Sequence, residues 1–332
     1  MSNVVKVENL KKYFPVRKSL LSHSREFVQA VDDVSYEIEK GEILGLVGES
    51  GCGKTTTGRT TLLLVPPTSG KITFQDRELT STNKKQIRNL RIKTSLIFQD
   101  PYRSLHPLMS VENLIAEPLR YHGLLDRQKR AEQVQQLIVQ VGLTGAHRKK
   151  YAHELSGGEK QRVAIARAIS TKPQFIVADE PVAALDVSIQ AGILNLINGM
   201  KRELQFSCLL ISHDLSIIRY LCNRVIVMYA GKFVEIADRD TLFNNAFHPY
   251  TKALLSSVPV PNPRASKNKL ILKGAPPSLL NPPSGCRLHP RCPFAEEICS
   301  RRIPEMSEVE SGHFVACYFP NNKWSNKQFS KN

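Results

Sequence analysis

Short apolar runs punctuate this chain, with longer amphipathic stretches between them. Ile43-Leu44-Gly45-Leu46-Val47, following Glu42, suits a buried strand. Phe175-Ile176-Val177-Ala178, Cys208-Leu209-Leu210-Ile211 and Val225-Ile226-Val227-Met228 repeat that pattern. Such strands need cover on both faces, so the expectation is an α/β fold with a largely parallel sheet under helices. A helix is expected from near Gly53 to before Pro66-Pro67, since a helix interior tolerates proline poorly. Residues 99–170 read as mostly helical. Within them Val134, Leu137, Ile138 and Val141 keep the i, i+3, i+4, i+7 spacing of a packing face, and Gly142 is placed to end that helix.

From Pro259 the periodicity stops and prolines crowd the chain, from Pro261 and Pro263 through Pro276-Pro277 and Pro282-Pro283 to Pro304. This suggests a separate, loop-rich appendage that needs a metal or a docking surface to hold a fold. No internal repeat is present.

Composition narrows the classes. The 332 residues are enough for one large or two modest domains with a real core. No apolar run approaches the roughly 20 residues of a membrane helix. The N-terminus shows no charged segment leading into an apolar core, so no secretory signal is expected. A cytoplasmic protein is expected, with any membrane link running through a partner. The net charge of +16 suits solvated helix faces, nucleic acid or an anionic membrane surface. No consecutive basic run is interleaved with aromatics, so nucleic acid is not the expected partner.

Seven cysteines are present, and Cys286, Cys292, Cys299 and Cys317 cluster toward the C-terminus. In a reducing compartment such a cluster points to metal rather than disulfides. Its C-x5-C-x6-C-x17-C spacing lacks the paired short knuckles of a zinc ribbon. Wider loops can wrap a [4Fe–4S] cluster, which takes one Cys per iron. Structural zinc and four reduced thiols are the alternatives, and any metal role would be structural.

The densest chemistry lies earlier. Gly48-Glu49-Ser50-Gly51-Cys52-Gly53-Lys54-Thr55 fits the phosphate-loop pattern G-x-x-x-x-G-K-[ST] in full. Its glycines let backbone N–H groups turn toward phosphate oxygens, and the following helix presents its positive end. Lys54 would reach the β- and γ-phosphates, and the Thr55 hydroxyl would bind Mg²⁺. Asp179 ends an apolar strand, where a carboxylate is costly unless it faces a ligand such as Mg²⁺. Glu180 beside it can polarise an attacking water. The bland reading is an exposed turn before Pro181. Ser156-Gly157-Gly158-Glu159 is a capping box opening a helix, and such a helix start can also meet a γ-phosphate. His213 follows a strand and a serine, so it is either a surface histidine or a γ-phosphate contact. Gln99 after Leu96-Ile97-Phe98 is either a plain strand end or a contact to Mg²⁺ and water.

Together Gly48–Thr55, Gln99, Leu155–Glu159, Ile176–Glu180, Ala184-Leu185-Asp186 and His213 resemble the motifs of ABC-type ATPases, in order. The resemblance implies a RecA-like α/β core with a helical subdomain inserted after the glutamine, working as a head-to-tail dimer. It implies that Ser156, Gly157 and Gly158 contact the γ-phosphate held by the partner's phosphate loop, and that Asp186 sits at the dimer seam. It also implies an N-terminal aromatic stacked on adenine: Phe14 fits best by spacing, with Tyr13 the alternative. The phosphate loop has Thr55-Thr56 where Ser-Thr is common, which keeps the hydroxyl. Ala183 stands where the family usually has Ser, removing a hydroxyl at the seam.

A closer similarity covers nearly the whole chain. The segments Phe98–Pro107, Ala184–Gln190, His248-Pro249-Tyr250-Thr251 and Cys286–Pro293 are similar to ATPase subunits of oligopeptide/dipeptide importers. That implies four kinds of expectation. The partners are a second, homologous ATPase subunit in a heterodimer, two membrane permease subunits and an external peptide-binding protein. The place is the cytoplasmic face of the inner membrane, peripherally bound. The cofactors are ATP, Mg²⁺ and, as in iron–sulfur-bearing members, a [4Fe–4S] cluster on the four cysteines. The domains are residues 1–258 as the ATPase domain, with a helical subdomain at about 99–164, residues 259–325 as a C-terminal domain, and 326–332 as a tail. Nickel or another small solute is an alternative cargo. A soluble ABC ATPase acting on nucleic acid is a further alternative, though such proteins usually carry two tandem cores or a long coiled coil.

Overall fold

A computed structural model describes residues 3–16, 26–79, 83–257 and 270–320. The expected boundary at 259 and the tail 326–332 lie outside these residues. The chain forms two compact units. One gathers the described residues of Met1–Lys6, Glu37–Ile43 and Thr73–Ile211, the other those of Val7–Tyr36, Leu44–Ile72 and Ser212–Asn332.

The first unit is built on parallel strands. Thr94–Ile97 pairs with Phe175–Asp179, which pairs with Ser207–Ser212, so Ile97 lies opposite Ala178 and Asp179 opposite Ile211. Phe175–Asp179 and Ser207–Ser212 are buried along their whole length, as their apolar runs require. Between the first two strands the chain turns helical, through Pro101–Ser104, Val111–Tyr121, Arg127–Gln140 and Gly157–Ile169. Caps set the starts: Ser110 accepts from the Asn113 amide and Asp126 from that of Lys129. Val134, Leu137, Ile138 and Val141 are buried, and Gly142 turns the chain out of the helix at φ +75°. The expected helical region is present.

In the second unit Ile43–Val47 runs parallel to Arg224–Tyr229. Arg224–Tyr229 pairs antiparallel with Lys232–Asp238, then come His313–Val315 and Ser307–Glu310, also antiparallel. Here the architecture differs from the expected separate appendage. The described residues after 270 share a unit with the phosphate loop, because Lys232–Asp238 takes His313–Val315 as its next strand. Buried Glu235 fixes the join. It accepts from the Phe247 amide at 2.6 Å and the His248 amide at 3.1 Å, and pairs with His313 Nε2 at 2.8 Å. Among the described residues no helix is long and apolar enough to cross a membrane.

Candidate active site

The phosphate-loop residues lie in the second unit, between the strand Ile43–Val47 and the helix Lys54–Thr61. Two glycines are required by contact. A Cβ on Gly53, at φ +111°, would meet the Ala30 carbonyl oxygen at 2.0 Å, and one on Gly48 would meet that of Met228 at 2.1 Å. Lys54 is buried, and its ammonium donates to the carbonyls of Gly48 at 2.7 Å and Glu49 at 2.9 Å. No side chain caps the helix start at Gly53, where the helix Lys54–Thr61 presents the positive end of its dipole. Thr55 and Thr56 open that helix and are half-buried. Ser50 and Gly51 are exposed at the loop tip, whereas Cys52 is buried. The Cys52 carbonyl accepts from the Gly231 amide at 2.8 Å.

The two N-terminal aromatics differ in setting. Phe14 is exposed, with the Lys12 ammonium 4.8 Å from its ring centre. The Tyr13 hydroxyl donates to Asp32, and its amide to Thr68 Oγ1 at 2.9 Å. Burial opposes ionisation of Asp32, but hydrogen bonds from Tyr13 and Lys232 and the charges of Lys232 and Arg287 outweigh it and lower its pKa. His213 is exposed at the end of its strand, just before Asp214 caps the helix Leu215–Leu221.

The first unit brings Gln99 and Glu180 together: Gln99 Nε2 donates to Glu180 Oε2 at 2.7 Å. Asp179 is buried at the end of its strand. The Glu180 amide donates to the Ile211 carbonyl at 2.9 Å, and Glu180 has φ +47°. A left-handed non-glycine residue is uncommon and clusters at functional sites. In the same unit Ser156 and Glu159 cap the helix Gly157–Ile169 reciprocally, with the Ser156 amide donating to Glu159 Oε2 at 2.7 Å and the Glu159 amide to Ser156 Oγ at 3.3 Å. That first bond, then the Ser156 hydroxyl and His147, outweigh burial and bring the Glu159 pKa down to about 2. Asp186 is the exposed N-cap residue of the helix Val187–Leu204, next to exposed Ala183 and Ala184.

The four clustered cysteines are free thiols. Cys299 is buried and the others half-buried. Burial raises Cys292 to about 12 and Cys317 to about 11, with further contributions from the neighbouring thiols. Backbone N–H groups of Leu288 and His289 point at the Cys286 sulfur, that of Phe294 at Cys292 and that of Phe319 at Cys317. Among the described residues no group of three or more His, Cys, Asp or Glu side chains is gathered so as to hold a metal ion.

The sequence reading left Asp32, Tyr250 and Arg291 without a role, although all three touch the site. The Tyr250 hydroxyl accepts from the Glu49 amide at 2.7 Å. Arg291 donates to the Glu49 carboxylate at 3.0 Å. His248-Pro249-Tyr250-Thr251 and the Cys286–Pro293 run were the available signals.

Residues 31–183 match the ABC transporter family, and residues 234–299 match the oligopeptide/dipeptide transporter C-terminal region. The chain is 45% identical, over 95% of its length, to the oligopeptide transport ATP-binding protein AppF of Bacillus subtilis (strain 168), 97% of which is covered. It belongs to this family of ABC transporter ATP-binding subunits. The fold agrees. The ATP-binding cassette MJ0796, solved as a dimer in a post-hydrolysis state with ADP and Pi, superimposes with a TM-score of 0.63 at 25% identity, covering 71% of this chain and 98% of that one. cbiO1 from Clostridium perfringens, part of the ABC transporter complex cbiONQ, gives 0.63 at 27% identity, covering 74% and 92%. This ABC subunit is therefore a transport ATPase with a RecA-like α/β core.

Proposed function

We propose that this ABC ATPase powers import of di- or oligopeptides. It would pair with a second, homologous ATPase subunit at the cytoplasmic face of the membrane, on two permease subunits served by an external peptide-binding protein. The observation that carries the cargo is the match of residues 234–299 to the oligopeptide/dipeptide transporter C-terminal region. AppF, similar over nearly the full length, is an oligopeptide transport protein by name.

In this reading Gly48–Thr55 wraps the triphosphate of ATP, with Lys54 donating to the β- and γ-phosphates. Phe14, whose ring is exposed, stacks on adenine, with Tyr13 the alternative. Glu180 polarises the attacking water, oriented by its hydrogen bond from Gln99, and His213 contacts the γ-phosphate. Ser156, Gly157 and Gly158 present a helix start to the nucleotide of the other subunit, with Asp186 at the seam. By their own chemistry the Thr55 hydroxyl in one unit, and the Gln99 side-chain carbonyl and Asp179 carboxylate in the other, are hard oxygen donors of the kind Mg²⁺ takes, and bound Mg²⁺ would neutralise phosphate charge. ATP binding favours the closed pair and hydrolysis lets it part, a differential affinity between two states.

The four C-terminal thiols suit a [4Fe–4S] cluster by donor softness and number, although the described residues do not gather them as a preformed metal site. Backbone N–H groups of the kind that stabilise cluster sulfur meet Cys286, Cys292 and Cys317. Such a cluster would tie loops together. Anaerobic preparation with metal analysis tests it: about four irons per chain are expected, one per Cys. Stoichiometric zinc without iron would replace the cluster.

The cargo is tested by deleting the gene and following uptake of labelled dipeptides, oligopeptides and nickel. Loss of peptide uptake, restored by the native gene and not by Glu180→Gln, is expected. Loss of nickel uptake alone would contradict it.

A further inference from the structure

Within the second unit, one short turn reaches both ends of the nucleotide-binding residues. Hydrogen bonds from the His289 amide to the Cys286 carbonyl at 3.0 Å and from the Arg291 amide to the Leu288 carbonyl at 2.8 Å hold the turn, and Leu288 is buried beneath it. Arg287 and Arg291 are four residues apart, and their side chains are only 6% and 10% exposed.

Arg291 grips the phosphate loop. Its Nη1 donates to Glu49 Oε2 at 3.0 Å and to Oε1 at 3.3 Å, and its Nη2 to Oε1 at 3.3 Å. Nη1 also lies 3.2 Å from the Tyr229 hydroxyl. Glu49 in turn gives its carbonyl to Lys54 and its amide to Tyr250. A carboxylate inside a phosphate loop repels a bound triphosphate, and a buried guanidinium fork both cancels that charge and fixes the loop.

Arg287 grips the other end. Its Nη2 donates to Asp32 Oδ2 and to Gln29 Oε1, both at 2.6 Å, and its Nη1 to the Ala230 carbonyl. Asp32 accepts the Tyr13 hydroxyl. Tyr13 adjoins Phe14, the residue assigned to adenine.

We infer that the Cys286–Cys292 turn is a positioning strap for the nucleotide. Arg291 acts on the phosphates by neutralising Glu49, and Arg287 acts on the adenine end through Asp32 and Tyr13. The inference rests on the proposal that Gly48–Thr55 and Phe14 hold ATP. Both arginines are positioning residues and neither touches substrate.

The test is equilibrium binding of MgATP and of Mg-tripolyphosphate to the full chain. Binding of MgATP by the native chain is the prior check, and its absence would refute the nucleotide site and the strap together. Given that binding, Arg291→Ala weakens both ligands at least about tenfold, the scale of one lost charge-assisted pair. Adding Glu49→Gln to Arg291→Ala restores affinity to within about threefold of native, because the repelling charge is gone. Arg287→Ala weakens ATP about tenfold and leaves tripolyphosphate unchanged. Should Arg291→Ala not fold, Arg291→Lys keeps the charge but loses the fork, and is expected to weaken both ligands equally by about threefold or more. Native affinity in Arg291→Ala, no rescue by Glu49→Gln, equal losses for both ligands in Arg287→Ala, or native affinity in Arg291→Lys would each overturn the strap.

Discussion

Gln99 donates its side-chain amide N–H to the Glu180 carboxylate at 2.7 Å, linking the second residue beyond the strand Thr94–Ile97 to the first residue beyond its neighbour Phe175–Asp179. The parallel register brings this about. Ile97 lies opposite Ala178, so two residues further on each chain reaches the same sheet edge. Glu180 is bent there at φ +47°, and its carboxylate accepts from Gln99.

Glu180→Gln keeps size and hydrogen bonding but loses the charge. MgATP binding is expected to survive while phosphate release falls by roughly 10² or more, the scale of a lost general base. Gln99→Ala is expected to lower kcat. Phosphate release from a complex whose other site is disabled checks both, and near-native turnover in Glu180→Gln would remove the assignment.

Gly53→Ala combines a left-handed φ with a clash against the Ala30 carbonyl. A destabilisation above about 1 kcal/mol is expected, together with loss of MgATP binding. Urea unfolding and nucleotide titration check it. A variant as stable as the native chain would show that the loop has room to relax.

His248 is fully buried, and burial brings its pKa down from 6.5 to about 4, against a smaller opposing pull from Glu235. Its Nδ1 accepts from the Tyr250 amide at 3.2 Å, which requires an unprotonated nitrogen. The unfolded chain therefore binds this proton first as pH falls. Stability is full above about 6.5 and declines toward about 4, by up to about 1.4 kcal/mol per pH unit from this group. Urea midpoints across that window check it, with a shallower slope expected in His248→Asn.

Glu159 runs to a lower window. Its pKa is brought down to about 2 by the Ser156 amide first, so its stabilising share is full above the ordinary value of 4.5 and lost as pH falls through about 2. Glu159→Gln keeps the reciprocal cap and is expected to flatten that acid limb, whereas Glu159→Ala lowers stability at neutral pH as well.

Much of this was legible in the sequence because it is local. The phosphate loop is eight consecutive residues, the strand Phe175–Asp179 is an unbroken apolar run, and the Ser156–Glu159 box spans one helical turn. What escaped is long-range. Arg287 meets Asp32 across 255 positions and Arg291 meets Glu49 across 242, with no periodicity to announce either pair. Proline density after 259 suggested a separate body, yet the edge of Lys232–Asp238 draws His313–Val315 into the same sheet. Glu180 precedes Pro181, a position biased toward extended backbone, so its left-handed φ could not be read from neighbours.

Transport coupling is tested by reconstituting the chain in liposomes with its permeases, the second ATPase subunit and the peptide-binding protein, and measuring phosphate release with and without peptide. Hydrolysis by the isolated chain is expected to be weak, to rise in the assembled complex and to rise again with peptide-loaded binding protein, with Glu180→Gln abolishing the gain. Full hydrolysis by the isolated chain, independent of its concentration and indifferent to permease and peptide, would contradict a shared nucleotide site and a role in peptide import.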